Sequence, residues 1–258
     1  MPQTKIVFFD IDGTLIDMQA KKITPKMLET LHRLQDRGIK ICIATGRSPM
    51  VLPKIDGVAF DAYLTFNGSL CYDRKGVIFS NPIPHKDVVR FIQNAAALGR
   101  PVCVSTRDRL AANGTDTDLT DYFAIANEDV PIVDNFDAMC EEDIYQLMLG
   151  CRPKDYPALL DGAPGAKIAA WWDRAVDVIP AGGGKGIGIK KMLAYYGLDK
   201  AEALAFGDGN NDREMLLAVG TGVAMENGSP ELKAIADEIC GPVYEDGIYH
   251  YCTSKGLI

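Results

Sequence analysis

Two acidic clusters dominate the chemistry open to this sequence. Asp10-Ile11-Asp12-Gly13-Thr14 follows the apolar run Ile6-Val7-Phe8-Phe9, and Gly207-Asp208-Gly209-Asn210-Asn211-Asp212 follows Ala203-Leu204-Ala205-Phe206. Side chains two apart on an extended segment point the same way. Asp10 and Asp12 are therefore expected on one side of a strand end, with Gly13 allowing a sharp turn beside them. Two like charges so placed need a compensating cation or a shared proton. In the second cluster two glycines free the backbone, and Asp208 and Asp212 are aimed at whatever the loop encloses. Asp-Gly-Asn-Asn is also ordinary turn chemistry, and the later glutamate of a calcium loop is missing. Beside another pair of acids, a Mg2+ site is the better reading, because Mg2+ takes a few carboxylate or carbonyl oxygens together with waters and a substrate phosphate.

Two further segments could handle a phosphate. Gly182-Gly183-Gly184-Lys185-Gly186 precedes a helical pattern, so Lys185 would stand at a helix N-terminus as a counter-charge. It is neither a Walker A loop nor a dinucleotide fingerprint, since the required glycine spacings are absent. Thr45-Gly46-Arg47 offers a hydroxyl, a backbone amide and a guanidinium at the end of a second apolar run, Ile39–Ala44.

The elements that must position these groups alternate strand and helix. Thr24-Pro25 is a helix start, with Met27, Leu28, Leu31 and Leu34 at helical spacing and Gly38 as the stop. A short helix opens at Ser48-Pro49, and 59–66 reads as a third strand ended by Asn67-Gly68. A hairpin around Asp73-Arg74-Lys75-Gly76 follows. Between Asn81-Pro82-Ile83-Pro84 and Pro180-Ala181-Gly182-Gly183-Gly184 the texture changes. That stretch holds a helix over 86–98, strands at 101–105, 144–150 and 166–179, and a polar loop-rich segment over 106–121. The strand reading of Ala169-Ala170-Trp171-Trp172 sends the two rings to opposite sides, one onto the module's helices and the other a candidate substrate contact. Beyond the second break the rhythm returns: helix 187–196, strand 203–206, helix 213–219, strand 222–225 and a helix after Ser229-Pro230. The expected fold is α/β, a Rossmann-like doubly wound parallel sheet built from residues 1–82 and 182–258, with an α/β module of residues 83–181 inserted. Ligands in such sheets bind beyond the carboxyl ends of strands, where the acids and Thr45 all fall.

Composition narrows the partners. The 258 residues carry 27 basic and 35 acidic side chains, a net charge of −8, which argues against non-specific binding to nucleic acid or anionic membrane. Seven cysteines without a C-x-x-C pair and three scattered histidines argue against a zinc site or disulfide framework, and fit a reducing cytoplasm. Cys42 and Cys103 lie in apolar runs and are expected to be buried. No apolar stretch approaches membrane-spanning length, and no signal-peptide core is present. Monomer and homodimer are both compatible with these features.

Asp10-x-Asp12-Gly13-Thr14, Thr45-Gly46-Arg47, Lys185 and Gly207-Asp208-Gly209-x-Asn211-Asp212, in that order, resemble the haloacid dehalogenase (HAD) superfamily of phosphotransferases, in its Cof-type branch with an α/β cap inserted after the third strand. The resemblance implies a Mg2+-dependent phosphatase for a small phosphorylated metabolite, a sugar phosphate foremost. It makes Asp10 the nucleophile that becomes an aspartyl-phosphate and Asp12 the acid and base. It assigns Mg2+ to the Asp10 carboxylate, the Asp12 carbonyl and Asp208, with Asp212 and Arg47 in support. Thr45, Gly46, Lys185 and Asn211 would surround the phosphoryl oxygens, Asn211 also flanking the metal, and the cap would set specificity. A phosphomutase and a catalytically inactive binding module are the alternatives.

Overall fold

The computed structural model describes residues 3–125, 128–170 and 172–258. Its first five strands are β1 (Ile6–Phe9), β2 (Lys40–Ala44), β3 (Ala62–Thr65), β4 (Leu70–Asp73) and β5 (Gly76–Ser80). Helix α1 (Pro25–Asp36) crosses from β1 to β2, and its N-cap Thr24 hydroxyl accepts from the Met27 N–H at 3.1 Å. Then come α2 (His85–Ala97), β6 (Cys103–Ser105), β7 (Leu110–Ala112), α3 (Thr117–Ile125), α4 (Phe136–Cys140), β8 (Gln146–Gly150), α5 (Tyr156–Leu160), β9 (Ala166–Ala169) and β10 (Ala175–Pro180). The chain finishes with α6 (Lys185–Tyr196), β11 (Ala203–Gly207), α7 (Arg213–Ala218), β12 (Thr221–Met225), α8 (Pro230–Lys233), β13 (Glu238–Cys240) and α9 (Gly247–Ser254).

These elements form two compact units. The first takes the chain up to Arg47, Pro53–Ser80 and Gly184–Ile258; the second takes Ser48–Leu52 and Asn81–Gly183. In the first, the described strands make one sheet in the order β13-β12-β11-β1-β2-β3-β4-β5, parallel from β13 to β3 and antiparallel at β4 and β5. Every residue of β1 is buried, the mark of a central parallel strand covered on both faces. Ile6 and Phe8 pack with Leu64, Ile189, Met192 and Met215 on one face. On the other, Phe9 stacks on Phe206 at 5.5 Å between centroids, and Tyr251 of α9 meets Phe206 edge-on. The chain leaves β1 toward β2 and later returns to β11 on the opposite side. That reversal of strand order lies between β1 and β11, where a doubly wound sheet opens a crevice at its carboxyl ends.

The second unit is an antiparallel sheet, β7-β6-β8-β10-β9 among the described residues. One of its faces packs Val104, Leu147, Leu149, Val176 and Val178 with Phe91 and Leu159 of the helices; on the other, Cys103, Ala112 and Met148 pack with Leu119 and Phe123 of α3. Two expectations need correction here. Residues 166–179 form a hairpin, β9 and β10, rather than one strand. Trp172 falls in the reversal between them, its ring covered by the Arg174 guanidinium at 4.9 Å; Trp171, the other ring of the opposite-sides expectation, lies outside the described residues. The segment 106–121, expected to be loop, contains β7 and the start of α3. The Asp116 carboxylate accepts from the Leu119 N–H at 2.8 Å and starts that helix; Asp118 in its first turn is held by Arg100, Arg152 and Arg174.

All seven cysteines are buried free thiols, and burial pushes Cys71, Cys103, Cys240 and Cys252 to about 12, which keeps them unreactive. Among the described residues no helix is long and apolar enough to cross a membrane.

Candidate active site

Asp10 stands directly after β1 and is buried. The strand ends at Phe9 and the chain turns at Ile11, whose carbonyl accepts from the Leu15 and Ile16 N–H groups. The chain thus begins its turn between the two acids, and Asp12 pairs in a β-bridge with Ile16. The two acids have separate partners. Asp10 Oδ1 accepts from Lys185 Nζ at 2.6 Å, whereas Asp12 takes a two-pronged contact from Arg47, Nε to Oδ2 at 2.8 Å and Nη2 to Oδ1 at 2.6 Å. Gly13 turns the chain with φ +81°, and a Cβ there would lie 2.2 Å from Asp208 Oδ2, so only glycine admits this approach.

Lys185 opens α6 and is buried, with its ammonium between two carboxylates: Asp10 at 2.6 Å and Asp212 Oδ1 at 2.5 Å. The helix reaches this depth because Gly186 lets it approach α7, where a Cβ would meet the Glu214 carbonyl oxygen at 2.5 Å. Burial opposes the lysine's charge, but Asp10 and Asp212 overrule it and raise its pKa above the ordinary value. Asp212 is wholly buried and fully engaged: its Oδ2 accepts from the Asp208 and Gly209 N–H groups at 3.0 and 2.9 Å. It therefore ties the loop after β11 to Lys185. Asp208 accepts from the Thr14 hydroxyl at 3.0 Å, a bond between the two acidic loops.

Asp10, Asp208 and Asp212 bring ligand oxygens within 4.8 Å of one another, a triad suited to a metal ion. With both Asp212 oxygens occupied, Asp10 and Asp208 are the carboxylates left to bind one. Their electrostatics ask for it. Burial drives the Asp10 carboxyl well above the ordinary carboxylate range, and Lys185 offsets only part of what burial, Asp212 and Asp208 impose. Burial, aided by Asp212, raises Asp208 to about 6. One lysine among three acids leaves excess negative charge that a hard cation would neutralise, and oxygen-only donors suit such an ion.

After β2, Thr45 is buried; its Oγ1 accepts from the Arg47 N–H at 3.1 Å, which leaves its own proton to donate. Asn211 is exposed and donates through Nδ2 to Asn67 Oδ1 at 3.2 Å; a Cβ on Gly46 would lie 3.1 Å from the Asn67 amide. In the sequence, Asn67-Gly68 matches a family position near the site, and a hairpin turn explains it equally well. The positive φ of Asn67, 51°, beside that of Phe66, 50°, marks a strained corner after β3.

The family described as haloacid dehalogenase-like hydrolase matches residues 7–252. The chain belongs to the haloacid dehalogenase-like hydrolases. YkrA of Bacillus subtilis (strain 168), provisionally named as a phosphatase, is 36% identical over 99% of both chains. The 5-amino-6-(5-phospho-D-ribitylamino)uracil phosphatase YitU of the same organism is 28% identical over 95% of each. The solved structure of BT4131, described as a HAD subclass IIB sugar phosphatase, superposes with a TM-score of 0.87 at 28% identity and covers 99% of this chain and 100% of its own. This HAD protein is a phosphatase, a phosphoric monoester hydrolase, with the α/β core and inserted second sheet of its subclass.

Proposed function

We propose that this phosphatase hydrolyses a small phosphorylated metabolite, a sugar phosphate foremost, with Mg2+ and through an aspartyl-phosphate on Asp10. The observation that carries the reading is the buried Lys185 ammonium between Asp10 and Asp212, beside an Asp10–Asp208 pair that remains over-charged. A phosphate ester is anionic, and a carboxylate cannot approach it until cations offset both. When bound, Mg2+ would be held by the Asp10 and Asp208 carboxylates with the Asp12 carbonyl, and it would supply charge neutralisation at the phosphoryl oxygens.

The residues then divide the work. An Asp10 oxygen attacks phosphorus as the ester oxygen leaves, and the leaving oxygen takes a proton from Asp12. Asp12 next takes a proton from the water that attacks the aspartyl-phosphate, freeing phosphate and restoring Asp10. Both Asp12 oxygens are engaged by Arg47 in this structure, so proton transfer requires one of those contacts to part. The Thr45 hydroxyl and the Gly46 amide orient the phosphoryl oxygens, with Lys185 as counter-charge and Asn211 at the rim. These groups recognise phosphate, metal and proton but nothing of the alcohol, so we assign substrate choice to the inserted module. The buried thiols support a reducing, cytoplasmic setting.

A panel of phosphorylated metabolites, assayed for free phosphate with and without Mg2+, tests the reading. Release from sugar phosphates only when Mg2+ is present supports it; isomerised sugar phosphate without free phosphate would identify a mutase. A second expectation follows from Asp208. Its folded-state pKa of about 6 exceeds the unfolded value of 3.8, so the metal-free fold holds that proton more tightly than the open chain does. Metal-free stability therefore falls as pH rises from about 4 to 6, by no more than about 3 kcal/mol for this group. Mg2+ needs the deprotonated form and reverses the loss. The Mg2+-induced rise in Tm should be larger near pH 7.5 than near pH 5, and an equal shift at both would contradict the assignment of Asp208.

A further inference from the structure

A segment without any acid of the site holds its two acidic loops together. After β12 the chain runs Glu226-Asn227-Gly228-Ser229 and touches both. Asn227 Nδ2 donates to the Gly13 carbonyl at 2.8 Å, and Asn227 Oδ1 accepts from the Val243 N–H at 2.9 Å. Two residues on, the Ser229 N–H donates to the Asp208 carbonyl at 2.9 Å. Gly13 and Asp208 are the very residues whose approach is so close that a Cβ on Gly13 would lie 2.2 Å from the Asp208 carboxylate. The turn thus grips the backbone of one acidic loop through a side chain and that of the other through an amide. Thr14 to Asp208 is the direct bond between the loops; this is a second, independent tie.

We infer that Asn227 is a positioning residue that sets the spacing of Asp10 and Asp208, and through it the affinity for the divalent cation. The inference rests on the metal reading given under the proposed function. Its chemistry is specific to an amide. The Gly13 side needs a donor and the Val243 side an acceptor, and asparagine presents both from one short planar group. Leucine has a similar shape and neither function; aspartate would set an oxygen against the Gly13 carbonyl oxygen. Partners that orient metal ligands in this way change metal affinity by about 10–100-fold when removed.

The test is direct Mg2+ binding by calorimetry on the whole protein, alongside the Mg2+ dependence of turnover. Asn227→Leu should raise the Mg2+ dissociation constant about tenfold or more, while kcat at saturating Mg2+ stays within about threefold of the parent. Thr24→Ala, which removes the N-cap of α1, serves as a destabilised control that should leave Mg2+ binding unchanged. Asn227→Leu with a dissociation constant within twofold of the parent, or Thr24→Ala with a comparable loss, overturns the inference. Absence of Mg2+ binding in the unaltered protein would instead overturn the metal reading itself, so the two failures are distinguishable.

Discussion

Asp10→Asn should reduce turnover by about 10⁴-fold or more on any substrate that the unaltered protein hydrolyses, because in the proposed reaction the Asp10 carboxylate takes the phosphoryl group. Its effect on stability should be slight, and the reason is visible in the charges. Asp10, Asp208 and Asp212 surround the single ammonium of Lys185, and burial already drives Asp10 well above its ordinary range. Replacing it by the neutral amide keeps the shape and leaves Lys185 paired with Asp212. We expect a ΔΔG within about 1 kcal/mol in metal-free urea unfolding, unlike the losses that follow when a buried pair is broken outright. Acid-quench trapping of a covalent phosphoryl-enzyme should succeed on the unaltered protein and fail on the variant. A variant that keeps measurable turnover and the trapped species would remove Asp10 from the mechanism.

Much of this architecture is legible in the sequence because the physical signals are local. The Ile6–Phe9 and Ala203–Gly207 runs are apolar throughout, as central parallel strands must be, and each ends at its acids. Thr24-Pro25 and Ser229-Pro230 announce caps that the structure makes, with each hydroxyl accepting from an N–H three residues on. The misread parts depend on distant partners. Residues 115–121 are poor helix formers, and Asp118 is tolerated in α3 only because arginines 18, 34 and 56 residues away surround it. The reversal between β9 and β10 contains no glycine, proline or asparagine, so the apolar pattern on either side reads through it. At the site, residue types and order point to a shared centre, but the pairing of Asp10 with Lys185 and of Asp12 with Arg47 joins residues 175 and 35 positions apart, which no local pattern announces. Asn227 gives no chemical signal at all, since Asn-Gly reads as a plain turn.

Lys185→Met should be the most damaging single change to the fold among the site residues. The substitution keeps much of the apolar stem and removes the ammonium, leaving Asp10 and Asp212 buried with no counter-charge. Removing one member of a buried charge group costs about 3–5 kcal/mol. The pH dependence identifies the cause. The lysine's own pKa is raised, so its charge and its contribution are constant between pH 5 and 7.5, far below any titration of that group. In the variant Asp10 changes instead: burial already raises its carboxyl above the ordinary value and the lysine no longer opposes this, so the protonated form is better tolerated and stability falls as pH rises. The deficit in metal-free urea unfolding should therefore be larger near pH 7.5 than near pH 5. A loss that is the same at both, or below about 1 kcal/mol, would mean that the ammonium does not offset these acids. Added Mg2+ cannot replace Lys185 in full, because Asp212 Oδ1 faces the ammonium and its other oxygen is taken by two amides. Turnover should accordingly stay depressed by about 10³-fold even at saturating Mg2+, since the counter-charge proposed for the phosphoryl oxygens is then missing.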